Sequence, residues 1–149
     1  MAILGRDSQA IDGFNAVELL TNHSLVTANM MKDIQFDLYP NQTQDGIPYQ
    51  HLHVQITSDD GIIEPEDLKG LKLPAGIDFS QGVVVEGKGP IWLHAYLVHE
   101  CHAAAWVGCY DPRHKGAVVV ETHTHAMSVG KVLLLELPSA LKPSANKSN

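Results

Sequence analysis

Two cysteines, Cys101 and Cys109, are all that 149 residues contain, and neither stands in a CxxC pair. A disulfide framework is excluded, a reducing compartment fits, and both thiols read as small core residues. Also missing is any apolar run near the ~18 residues that cross a bilayer. The opening MAILGRDSQA lacks a basic-then-apolar signal pattern. These absences predict a cytoplasmic protein with no membrane partner. Positive charge is scarce too, since ten Lys+Arg against seventeen Asp+Glu leave a formal charge of −7. Tracking duplex DNA needs a basic face, so that partner is excluded, whereas a small anion held by a few local cations or a metal is compatible. No Ser-His-Asp order and no zincin motif is present.

What the chain does have is histidine: nine in all, six of them between residues 94 and 125. A hydrophobic content of 44% and this length suit one globular domain. Residues 1–30 show no sustained period and read as a leader, the compact domain is expected over 31–138, and the polar, Pro/Ser/Lys-rich stretch 139–149 reads as a flexible tail. Ile34, Phe36 and Leu38 alternate with polar residues, and so do Leu52, Val54 and Ile56, which predicts a hairpin. His51, His53 and Gln55 fall on the opposite face of the second strand; with His23 and His114, these two histidines are expected in solvent. Pro65, Glu66 and Asp67 open a short helix closed by Gly70 and Pro74. Val83-Val84-Val85 does not alternate, as in a central strand buried on both faces. A helix over 91–102 and strands over 105–110, 117–123 and 132–137 complete an order β-β-α-β-α-β-β-β. That order predicts an α/β fold, a single layered domain with helices packed on a central β-sheet.

Four places concentrate polar chemistry at the ends of these elements. Gly87-Lys88-Gly89-Pro90 joins a buried strand to a helix start, where backbone N–H groups, the helix dipole and Lys88 could receive a phosphate. The spacing matches neither GxGxxG nor the Walker pattern, and a plain tight turn is the bland reading. On the helix, His99 and His102 stand roughly 60° apart and His94 roughly 80° from His102, two turns earlier. A helical histidine is often merely solvated, but a pair can share a metal such as Mn, Fe, Ni, Cu or Zn. Asp111 and Arg113 sit in a post-strand loop, either as an Asp-Pro turn or as a metal or base carboxylate beside a phosphate clamp. Glu121, His123 and His125 share a strand face by period two, which suits a metal site or a polar strand end.

In order along the chain, Gly-x-Gly-Pro-Ile-Trp-Leu-His (87–94), His-x-x-His (99–102), Tyr-Asp-Pro-Arg (110–113) and Gly-Ala-Val-Val-Val-x-x-His (116–123) resemble the compact ring nucleases of type III CRISPR systems, distant relatives of the Rossmann-like CARF domains. The likeness is strongest over 82–123 and extends over about 33–138. It implies a manganese-dependent phosphodiesterase that linearises cyclic tetra-adenylate and so switches off type III signalling. It also implies trimming of single-stranded RNA 3′ ends, a homodimer, and a dimer of dimers around the ligand, with one site drawing on more than one subunit. By the resemblance His102, Asp111 and Arg113 are catalytic, Gly87, Lys88, Gly89 and His94 contact substrate, and His99, His102, Asp111 and His123 hold Mn²⁺. The loop after Arg113, with His114 and Lys115, is one residue longer than the family's pattern. Two competitors are a sensor that binds the ring without cutting it, and a cupin-like metalloprotein suggested by His51-x-His53.

Overall fold

The computed structural model describes residues 33–143; the expected leader 1–30 and residues 144–149 of the expected tail lie outside the described residues. Alternation does what it predicts at the start. β1 (Ile34–Gln42) and β2 (Pro48–Ile56) pair antiparallel, with Phe36 opposite Val54 and Leu38 opposite Leu52. β3 (Gly82–Glu86) and β4 (Trp106–Asp111) then run parallel to β2, and β5 (Gly116–Thr122) and β6 (Val132–Leu134) return antiparallel. The six strands form one mixed sheet in the order β1-β2-β3-β4-β5-β6.

The parallel crossover from β3 to β4 is made by α1 (Ile91–Glu100), the single α-helix among the described residues. It is capped by Pro90, which has no N–H to leave unpaired, and ends before Cys101 rather than at His102. The predicted helix near Pro65 is a single 3-10 turn, Pro65–Leu68, braced by Asp67 accepting from the Glu64 N–H at 2.7 Å. The α/β class holds, with less helix than the sequence pattern suggested, because several polar connections between strands form single turns. A further single turn, Ser139–Leu141, follows β6, and Lys142 pairs with Glu136 at 2.7 Å.

Two cores flank the sheet. On one face Leu93, Leu97 and Cys101 pack on Leu52, Val54, Val83 and Val85. Burial pushes the Cys101 thiol up to about 12, so it acts as the apolar filler its surroundings require. On the other face Tyr49, Val84, Trp106, Ala117, Val119, Leu133 and Leu135 form a second cluster without any helix. The sheet covers this face itself by curling: just past β1, the Gln44 N–H donates to the Leu134 carbonyl at 2.9 Å, and the Asn41 side chain donates to the Glu136 carbonyl at 3.0 Å. Both contacts join the β1 edge to the β6 edge.

That curl corrects the reading of two histidines. His51 is fully buried and the His53 side chain is only 20% exposed, so neither is a solvated residue. Alternation had placed them opposite the core face, but the curl makes a second core of that face. His114, by contrast, is exposed as expected.

Gly87 marks the end of β3 with a φ of +133°, and a Cβ there would fall 2.1 Å from the Val54 carbonyl oxygen. Gly87→Ala therefore combines backbone strain with overpacking against a neighbouring strand, and a loss on the order of 3 kcal/mol is expected in urea unfolding. A change below about 0.5 kcal/mol, the range of an ordinary surface substitution, would show that the turn has another conformation to use.

Candidate functional site

Polar groups with chemical potential gather in two places at opposite ends of β4. At the carboxyl ends of the parallel strands lie His53, Glu86, the turn 87–89, Asp111 and Arg113. β3 and β4 stay in register up to Val85 opposite Cys109, so Glu86 and the turn after it emerge beside the end of β4 that carries Asp111. At the other end lie His99, His102, Glu121 and His123, where Trp106 pairs with Thr122 and the His123 N–H donates to the Ala105 carbonyl at 2.9 Å. β4 has six residues, and at ~3.3 Å per residue this puts roughly 16 Å between its ends.

At the carboxyl end, the Asp111 carboxylate is engaged on both oxygens by Arg113. Nε donates to Oδ1 at 3.1 Å, a terminal guanidinium nitrogen donates to Oδ2 at 2.9 Å, and the Arg113 backbone N–H adds a bond of 2.9 Å. These bonds hold the Asp111 carboxyl below its usual range. Asp111 thereby aims Arg113, whose side chain is 85% exposed and free to meet an anion on its outer edge. Lys88 is exposed on the glycine turn. His94 braces that turn: Nε2 lies 3.0 Å from the Gly87 carbonyl and Nδ1 3.3 Å from the Pro90 carbonyl. Within the chain its ring nitrogens therefore address the backbone of the turn.

The residues that sequence reasoning missed are also here. Glu86 Oε2 lies 2.6 Å from His53 Nδ1 and 3.3 Å from His51 Nε2. Burial alone would push the Glu86 carboxyl up, but the hydrogen bonds from His51 and His53 outweigh it and bring the carboxyl below its ordinary 4.5. A charged residue closing a run of buried valines, beside histidines at i and i+2 of another strand, is the signal that could have found this group. His53 and Glu86 line a cavity of about 580 Å³ with Gly87, Lys88, Gly89 and Pro90.

At the opposite end, the rings of His99 and His102 stack with centroids 5.7 Å apart. His102 Nδ1–H donates to the His99 carbonyl at 2.9 Å, which leaves Nε2 of the neutral ring as its free nitrogen. His123 Nε2–H donates to the His102 carbonyl at 2.8 Å and lies 3.3 Å from Glu121. β5 stops at Thr122, so the period-two alignment of Glu121, His123 and His125 does not extend past the strand, and His125 is exposed in the bend beyond. No three His, Cys, Asp or Glu side chains among the described residues are grouped to hold a metal ion. The set His99, His102, Asp111 and His123 therefore does not fit a metal within one chain: its carboxylate is at the far end of β4 and is already paired with Arg113.

The Glu86 carboxyl titrates lower in the folded chain than unfolded. Its stabilising contribution is present above about 4.5 and is lost as the pH falls through the depressed folded value. Glu86→Gln should cost about 1–2 kcal/mol at pH 7 and show a flatter decline on acidification. Urea midpoints of both proteins between pH 7 and pH 3 measure this; parallel curves would mean that the carboxylate contributes nothing through its charge.

No helix among the described residues is long and apolar enough to cross a membrane. The profile of a family of CRISPR-associated proteins, Cas_csx3, matches residues 56–134, from the end of β2 into β6. That span contains Glu86, Lys88, His102, Asp111, Arg113 and His123, while His51 and His53 precede it. A protein of Aquifex aeolicus (strain VF5), described as uncharacterized, is 40% identical over 75 residues, covering 48% of this chain and 68% of its own length. The matched span includes the central strands, the crossover helix and both ends of β4, and on that ground the chain belongs to the CRISPR-associated Cas_csx3 family.

Proposed function

We propose that this protein is a ring nuclease, a phosphodiesterase that opens and cleaves cyclic tetra-adenylate and thereby ends type III CRISPR signalling. Membership of a CRISPR-associated family supports the setting. The observation that carries the reading further is the division of the candidate residues between the two ends of β4. Arg113, aimed by Asp111, and Lys88 supply anion-binding groups at one end. His102, with His99 and His123, supplies imidazoles at the other. Juxtaposing one end of one copy with the other end of a second copy unites them, so catalysis belongs to a homodimer or a dimer of dimers around the ring.

A cyclic tetranucleotide carries four bridging phosphates and no terminal one, so a protein with a charge of −7 can hold it with a few focused donors. In this reading Arg113 and Lys88 neutralise the phosphate and His102, through its free Nε2, moves a proton at the scissile linkage. The same apparatus would accept the 3′ end of single-stranded RNA. Manganese dependence belongs to the proposal as a property of the assembled oligomer, because one protomer does not gather the ligands. Val120, Val132 and Leu134, which are 40%, 38% and 49% exposed on β5 and β6, offer an apolar strip for a second copy. The alternative of a sensor that only binds the ring gives Arg113 a phosphate to hold but leaves the paired histidines without a task.

The test is chromatography of labelled cyclic tetra-adenylate after incubation with the protein, with Mn²⁺ and with EDTA. Metal-dependent conversion to short linear products is expected; an intact ring that co-elutes with the protein would make it a sensor. His102→Ala and Arg113→Ala should each lose at least about 100-fold in turnover while remaining folded. Mixing the two inactive variants should restore about a quarter of wild-type activity, since half of randomly formed dimers are mixed and each of those has one intact site of two. No recovery on mixing, with exchange of subunits demonstrated, would refute the shared site.

A further inference from the structure

The proposed roles of Arg113, Lys88 and His102 leave open what activates the attacking oxygen. The group around Glu86 answers to that need. A carboxylate oxygen can only accept, so His53 holds its proton on Nδ1, 2.6 Å from Glu86 Oε2, and the lone pair of the neutral ring is on Nε2. His51 holds the same oxygen from the buried side at 3.3 Å, while its own Nδ1 is buried without a hydrogen-bond partner among the described residues. Burying an unpaired nitrogen is a cost that mere packing would avoid by placing an apolar residue there. The arrangement is that of an imidazole oriented by a carboxylate, the usual device for taking a proton from a hydroxyl. It borders a cavity of about 580 Å³ whose rim includes Gly87, Lys88 and Gly89, within the roughly 300–1,000 Å³ of small-molecule sites.

A proton acceptor for a hydroxyl and a seat for a phosphate therefore share one cavity. A ribonucleotide linkage presents that combination, a 2′-hydroxyl next to a phosphodiester. We infer that His53 is the general base that activates a ribose 2′-hydroxyl in this cavity, with Glu86 and, behind it, His51 as positioning residues. The inference rests on the ring nuclease reading and specifies its nucleophile. His53 Nε2 takes the 2′-hydroxyl proton, the 2′-oxygen bonds to the adjacent phosphorus, and the bond from phosphorus to O5′ breaks. The departing O5′ takes a proton that His102 of a second copy relays from solvent through Nε2, and the products carry a 2′,3′-cyclic phosphate and a 5′-hydroxyl, with no co-reactant consumed.

The experiment compares cyclic tetra-adenylate with its fully 2′-O-methylated counterpart on the full-length wild-type protein, and reads product ends by mass spectrometry. The native ring should give 2′,3′-cyclic phosphate ends, and the methylated ring should bind yet stay whole. His53→Gln should lower kcat by about 10²–10⁴-fold with little change in KM. Glu86→Gln should also lower kcat at unchanged KM, which a merely structural loss would not do selectively. Cutting of the methylated ring at the native rate overturns the inference and leaves the ring nuclease reading intact, as does full activity of His53→Gln. A wild-type protein inert toward the native ring overturns both. The methylated ring keeps the inference testable even if a substituted protein fails to fold.

Discussion

The positions of the candidate functional groups depend on the register of three parallel strands. Val83, Val84 and Val85 are each at most 1% exposed, so β3 has a core on both of its faces and cannot slip against β2 or β4 without exposing one of them. That fixed register sets His53 beside Glu86 and brings the turn after β3 next to the end of β4 that carries Asp111. It also sends the paired histidines of the helix end to the far side of β4. A one-residue shift would move Glu86 onto the helix-covered face and place an unpaired carboxylate among Leu52, Val54 and Leu93. The chemistry and the stability of the sheet are therefore constrained by the same packing.

Curling gives the sheet its second consequence. One helix covers one face, and an open sheet would leave the other in water. The contacts of Gln44 with Leu134 and of Asn41 with Glu136 draw the two edges together at one corner. The enclosed face then holds Tyr49, whose hydroxyl accepts from Asn41 at 3.0 Å and is pushed by burial up to about 12. It also holds His51, which has to find its partners inside. Among the described residues Glu86 is the one hydrogen-bonding partner of its ring, and the lower-dielectric surroundings strengthen that contact. A polar network that is half satisfied, as this one is at His51 Nδ1, costs stability and is more readily explained by use than by packing.

Division of labour between the two ends of the sheet also accounts for the absence of a metal-binding group within the described residues of one chain. Imidazoles are at one end and the guanidinium and its carboxylate are at the other. A strand of six residues cannot bring its two ends within coordination distance, whatever rotamers the side chains adopt. Assembly with a second copy is then a chemical requirement of the proposed site, and the exposed valines and leucine of β5 and β6 give such an assembly apolar surface to bury.

The amino-acid pattern alone determined the α/β class, the hairpin at the start, the doubly buried β3, the crossover helix begun at Pro90, and the motif string running from Gly87 to His123. These are local properties: alternation, a valine run, a proline and a glycine act within a few residues of themselves. Tertiary structure decided what local pattern cannot encode. It chose which candidates meet, separating His102 from Asp111 because they lie at opposite ends of one strand. It turned Asp111 into a brace for Arg113 and His94 into a brace for the glycine turn, through contacts that spacing does not reveal. And it buried His51 and left His53 only partly exposed, since burial of a strand's second face depends on whether the whole sheet curls, a property of how distant edges meet and not of any one strand.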